Sequence, residues 1–343
     1  MKKKTVKTLL ILLLISAAII CLASCSSNKY YDEIKPTKEE ARSIATLSYS
    51  NTNYDVTYDL FRTFYLTEAE SESDFKTASE RAMGKIAELY SIFYECERVG
   101  IDTDSSEIMK SVDEYICASV DGGKIDGVSY NGYGSHEAYL EAIKKLYMTD
   151  RVNRLLVRSY ICENKLVQYY TSSDRAPGDE AVRNYFNSDD CIKITWFSTE
   201  EESIAYKVLS LLDGKSEDEI IDLFITYSNP SVSAQTQRDG WYIGRYEISD
   251  SYRTVASAAF STEVGSCSKI ISDNDGNYYI VYRMMKDNNY LAKPEGLEKI
   301  RQSCAYNDMY KKTDEVKNLL ISGASYTDFY SELAAEPSKI KMG

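Results

Sequence analysis

The chain has 343 residues, with 43% hydrophobic and 27% charged side chains, eight cysteines, one histidine and a net charge of −13. That length predicts two or three domains with enough apolar residues for packed cores. The acidic balance excludes an ordinary nucleic-acid surface. A single histidine, with no cysteine at metal-ligand spacing, excludes a His/Cys metal centre, and no Gly-rich phosphate loop follows a strand.

The N-terminus carries the most specific pattern. Lys2, Lys3, Lys4 and Lys7 form a basic stretch, Leu9 to Leu22 an apolar one, and Leu22-Ala23-Ser24-Cys25 follows as a bacterial lipobox. Small side chains before the cleavage point let a peptidase close on the backbone, and Cys25 supplies a thiol for diacylglycerol. Residues 1–24 are therefore expected to be removed, leaving a chain outside the cytoplasm, held to the cell membrane by lipid on Cys25 and not by a spanning helix. Four lysines are the leader's only charges. The remainder carries 36 basic and 53 acidic side chains, a balance of −17. Beyond Cys25, the cysteines are Cys96, Cys117, Cys162, Cys191, Cys267 and Cys304. Their even number permits disulfides, while four lie in helical patterns where a buried thiol packs as a small hydrophobe. Both readings stay open.

Ser26 to Arg42 is polar and predicts a tether. Ile44 to Ser50 predicts a short strand, and Thr57 an N-cap, with Val56 and Phe61 spaced as a hydrophobic staple. The helix after it carries Tyr58, Phe61, Phe64 and Tyr65 on one side. A longer helix over 75–99 has Ala82, Ile86, Leu89, Phe93 and Cys96 at helical spacing and Gly100 as its stop. Asp104-Ser105-Ser106-Glu107 has capping-box spacing and opens another, with Ile108, Val112, Tyr115 and Ile116 on one face. Residues 122–134 predict a loop, and Ser135 caps a helix running through Leu140, Leu146 and Leu155 to Ile161. His136, just past that cap, reads as an exposed helix-start residue with no catalytic partner. Pro177-Gly178 marks a linker before a short helix, 180–186.

From Cys191 the period changes to two. Cys191 to Phe197 predicts a strand, followed by helices carrying Ile204, Val208 and Leu211, then Ile220, Ile221 and Phe224. A polar loop over 228–239 leads to a strand, Gly240 to Arg245, and then to a short helix, Val255 to Phe260. Strands at 269–272 and 278–283 close the region. The tail, with helical patterns over 297–310, 316–321 and 326–335, is too short for a core of its own and is expected to pack on the N-terminal helices.

This order of elements resembles the parvulin family of peptidyl-prolyl isomerases, and the wording is similar in places. The family's His-Ile-Leu-Phe-Ser-Thr stands here as Ile194-Thr195-Trp196-Phe197-Ser198-Thr199. Its Ala-Ala-Phe is Ala258-Ala259-Phe260, its Gly-x-x-Ser is Gly265 to Ser268, and its Gly-Tyr-His-Ile-Ile is Gly276-Asn277-Tyr278-Tyr279-Ile280. The strand and aromatic helix over 44–65 resemble SurA-like and PrsA-like chaperones, in which a parvulin unit is inserted into a helical domain. The resemblance implies an α+β protein: an all-α SurA-like domain over 44–187, completed by C-terminal helices over 287–343, with an inserted parvulin-like unit over 188–286. That unit would be a small antiparallel sheet with helices, and 25–43 would be the tether.

The departures bear on chemistry. Two histidines commonly line the parvulin site, and Ile194 and Tyr278 stand at their matches. Val255 falls near the family's pocket Phe, and Asn229-Pro230 replaces an acidic or Cys residue. Ile194, Trp196, Val255, Phe260 and Tyr278 are the candidate peptide groove, with simple core packing as the alternative. No catalytic residue, metal or cofactor is assigned. The resemblance implies unfolded or newly exported polypeptides as partners. Three functions stay open: a chaperone whose isomerase site has degenerated, an active prolyl isomerase, and an unrelated surface or solute-binding lipoprotein.

Overall fold

The computed structural model describes residues 30–125, 127–228, 233–246, 253–273 and 276–341. It is an α+β structure, in which twelve α-helices among the described residues accompany small antiparallel sheets. Residues 30–168 with 312–341 form one compact unit and residues 169–311 another. The leader, Cys25, Asn229 and Pro230 lie outside the described residues.

The first unit begins with a hairpin of β1 (Ser43–Tyr49) and β2 (Thr52–Thr57). β2 is absent from the sequence expectation because its pattern is polar; among its residues only Val56 is fully buried. Helices α1 (Tyr58–Ala69), α2 (Phe75–Arg98), α3 (Ser106–Asp121), α4 (His136–Lys144) and α5 (Asp150–Thr171) follow. Local chemistry sets their ends. Asp74 accepts from Thr77 N at 2.8 Å and Ser135 from Ala138 N at 3.1 Å, while Gly100 takes φ +86° after α2. Within 122–134, where composition predicts a loop, β3 (Gly123–Ile125) pairs with β4 (Val128–Tyr130). His136 is not an exposed helix-start residue. Its ring lies between Tyr31 (4.7 Å) and Tyr139 (5.8 Å).

A buried carboxylate, Asp59, ties α1 to α5. It accepts from Arg151 Nε at 3.0 Å and Thr149 Oγ1 at 3.1 Å and is fully buried. A buried charge persists only when paired in this way.

The C-terminal segment packs within the same unit. β9 (Ser325–Tyr326) adds to β1, giving the order β2-β1-β9, and Thr327 N donates to Ile44 O at 3.0 Å. The last α-helix, α12 (Asp328–Ala335), buries Phe329 against Tyr58 and sets Tyr330 Oη 3.0 Å from Ser79 Oγ. Gly323 makes the crossing possible, since a Cβ there would lie 2.0 Å from Ser48 O. The two helices predicted over 297–310 and 316–321 are one, α11 (Pro294–Ser322). The polar residues 311–315 between them interrupt the apolar pattern, but with no Gly or Pro among them they do not interrupt the backbone.

The second unit holds α6 (Asp179–Asn187), β5 (Cys191–Thr199), α7 (Glu202–Leu211), α8 (Glu217–Tyr227) and α9 (Ala234–Asp239). Then come β6 (Trp241–Gly244), α10 (Arg253–Ser261), β7 (Ile271–Ser272) and β8 (Tyr278–Met284). The strands form an antiparallel sheet in the order β6-β5-β8-β7. Gly240, at φ +66°, admits β6 to the sheet; a Cβ there would come within 2.5 Å of Met284 Sδ. Phe197, Ile280 and Tyr282 pack with Val208, Ile221 and Phe224 of α7 and α8 on one sheet face. Another cluster joins Val182 and Phe186 of α6 to Cys191, Ile300 and Cys304.

The six described cysteines are free thiols, five of them buried. Burial pushes the Cys304 thiol up to about 12, which suits packing and not nucleophilic chemistry.

Candidate functional site

The other face of the second sheet is only partly covered. Because strand side chains alternate, β5 sends Ile192, Ile194 and Trp196 to this face and Phe197 to the opposite one. The cross-strand register sets Trp241 of β6 opposite Ile194, and Val281 of β8 opposite Trp196. α10 lies across this face with Val255 and Ala259 buried against Ile192, Ile194 and Val281. Around that floor stand Trp196, Trp241, Phe260 and Tyr279, each partly exposed. The two indoles stack at 4.2 Å with an interplanar angle of 27°. A cleft of about 440 Å³ opens beside α10, lined by Ala258, Thr262, Ser268, Lys269 and Ile271 among others.

Of the five expected groove residues, the structure brings together four: Ile194 and Val255 in the floor, Trp196 and Phe260 at its border. Tyr278 is not with them. It pairs with Thr199 and packs on the closed α7–α8 side. Its neighbour Tyr279 takes the open side, so matching the last strand one residue early reverses the face. Tyr279 and Trp241 are the residues missed. The alternation of buried Ile280 with Tyr279 and Val281 carries the first signal. Trp241 becomes legible only once its pairing with Ile194 is known.

The polar groups around this face are directed into the scaffold. Tyr279 Oη donates to Asp273 Oδ2 at 2.7 Å, and Asp273 also accepts from Asn277 N at 2.9 Å. Arg283, directly across from Ile194, donates to Thr262 O at 3.0 Å and to Asp189 Oδ1 at 3.2 Å. Arg245 covers the Phe260 ring at 4.5 Å while donating to Asp190 Oδ1 at 2.8 Å. Gln237, buried at the end of α9, donates to Trp196 O at 3.0 Å and accepts from Thr195 Oγ1. These bonds fix the backbone beneath the indoles. The resulting surface is apolar and aromatic.

No protein-family model matches the sequence, and no curated protein matches it. Among solved structures the chain is similar to PrsA foldases and SurA-like chaperones. The foldase protein PrsA of Streptococcus pneumoniae aligns at 14% identity and a TM-score of 0.34, over 81% of this chain and 91% of that one. The peptidylprolyl isomerase PrsA of Bacillus anthracis aligns at 15% identity and a TM-score of 0.29, over 76% and 99%. A SurA-like chaperone of Campylobacter jejuni gives 15% and 0.24, over 69% and 93%. Among the described residues, no helix is long and apolar enough to cross a membrane.

Proposed function

We propose that this chain is a membrane-anchored extracytoplasmic foldase of the chaperone type. It would bind unfolded exported polypeptides, and its parvulin-like unit would have weak or no isomerase activity. In this reading the unit of 30–168 with 312–341 is the helical chaperone part, the parvulin-like unit lies within 169–311, and lipid on Cys25 attaches the whole to the membrane. The observation that carries the reading is the half-covered face of Ile194, Trp196, Trp241 and Phe260, where aromatic area is abundant. Prolyl isomerisation requires an amide to be twisted through a barrier of ~20 kcal/mol in a shaped pocket. An Ile at 194, with the Tyr279 hydroxyl bound to Asp273, supplies the apolar wall without the histidine pair.

An active isomerase is the second reading, favoured by the pre-formed floor that α10 makes with the sheet. One experiment separates the two: isomerisation of Xaa-Pro peptides beside aggregation suppression, both with the soluble chain 26–343. The foldase reading expects suppression without saturable isomerisation. Fast, saturable isomerisation would establish the enzyme. Failure of both activities would return the chain to the unrelated-lipoprotein reading. Anchoring has its own check, since the Cys25→Ala chain should remain unprocessed or leave the membrane.

A further inference from the structure

Tyr30, the first described residue, follows Cys25 by five peptide steps. The two α-carbons are therefore at most ~18 Å apart. Composition predicts a free tether up to Arg42, but from Tyr31 onward the segment is bound to the helical unit. Tyr31 Oη donates to Asp121 Oδ1 at 2.8 Å, and its carbonyl accepts from the Arg154 guanidinium. Ile34 N donates to Asp150 Oδ2 at 3.0 Å. Asp150 and Arg154 are buried and paired with each other at 3.0 Å, so these contacts are made to a fixed polar core. Farther along, Glu40 pairs with buried Arg62 at 2.9 Å.

The surface where this segment starts mixes exposed apolar side chains with the exposed charges of Asp32, Glu33 and Lys35. Tyr30, Ile34 and Tyr133 are exposed at 49%, 46% and 45%, and the Tyr133 ring lies 6.3 Å from that of Tyr139. A cleft of about 230 Å³ adjoins Ile34, with Pro36, Leu140 and Met148 in its lining and exposed Lys35 and Lys144 beside it.

We propose that this face of Tyr30, Ile34, Tyr133 and the adjoining cleft rests on the lipid headgroup layer, holding the helical unit in one orientation at the membrane. The proposal rests on the lipidation of Cys25 proposed above. Tyrosine suits the interface because its ring is apolar and its hydroxyl wet, and Lys35 and Lys144 offset the exposed carboxylates of Asp32, Glu33 and Glu141 at the headgroups. A tether this short keeps the surface at high effective concentration, so weak affinity is enough.

The test compares hydrogen exchange of the lipidated chain on phosphatidylglycerol-containing vesicles with that of the soluble chain 26–343. Exchange should slow several-fold in 30–36 and 128–140 on vesicles. A twenty-residue Gly-Ser insertion between Ser27 and Asn28 should relieve that protection while the chain still sediments with vesicles. A chain that sediments but exchanges identically in both forms overturns the proposal and leaves the lipid anchor standing. A chain that fails to sediment overturns the anchor itself, and the orientation with it.

Discussion

The two faces of the β6-β5-β8-β7 sheet are built from the same strands and differ in what covers them. On one, α7 and α8 close over Phe197 and Ile280, and Phe197, Ala205, Val208, Phe224 and Ile280 are all fully buried. On the other, α10 alone buries Val255 and Ala259 and leaves Trp196, Trp241, Phe260 and Tyr279 at the surface. Alternating residues of β5 thus serve different ends. Phe197 holds the closed side together, while Ile192 and Ile194 floor the open side and Trp196 stands at its border.

The comparison can be broken first at the closed face. Phe197→Ala should destabilise the 169–311 unit by about 3–5 kcal/mol, because a fully buried ring leaves a cavity. Calorimetric unfolding checks this, and client binding by the fraction still folded should be unchanged. The open face should show the reverse. Trp196→Ala and Trp241→Ala should weaken client binding about tenfold each, near 1.4 kcal/mol, with a smaller loss of stability. A double-mutant cycle on unfolding should give a coupling of about 0.5–1.5 kcal/mol for the stacked pair.

Neighbouring tyrosines sharpen the contrast further. Tyr279→Phe removes the bond to Asp273 and should cost about 1 kcal/mol, whereas Tyr278→Phe should stay within about 0.5 kcal/mol. Equal responses in denaturant titrations would show that the Tyr279 hydroxyl gains nothing from Asp273. The smallest effect belongs to the closed side's helix start. In the capping box of α8, the Glu219 carboxylate accepts from Lys215 Nζ and from Ser216 N, which holds its pKa down to about 2. A depressed carboxylate pKa adds stability above the unfolded value, near 4.5, and that stability is lost as pH falls towards 2. In Glu219→Gln, this part of the acid dependence of unfolding should be absent.

What the sequence by itself determined is local. Ser135 caps its helix where the spacing predicts, and the cap before 106–121 falls at Ser105 inside the Asp104-to-Glu107 box, because each bond closes within three residues. The helix faces over 75–98 and 106–121 and the period-two run from Cys191 are equally legible, since burial follows the period. Four of the five groove residues follow from that period together with the family resemblance. The fifth depends on tertiary structure. Whether Tyr278 or Tyr279 joins Ile194 depends on the pairing of β8 with β5, some eighty residues away, and a shift of one residue exchanges the faces. The same holds for β9 against β1, for Tyr31 against Asp121 and for Trp241 against Ile194. In each case a short polar or ambiguous segment is fixed by a distant partner's hydrogen bonds, and nothing in the segment's own residues encodes which partner that will be.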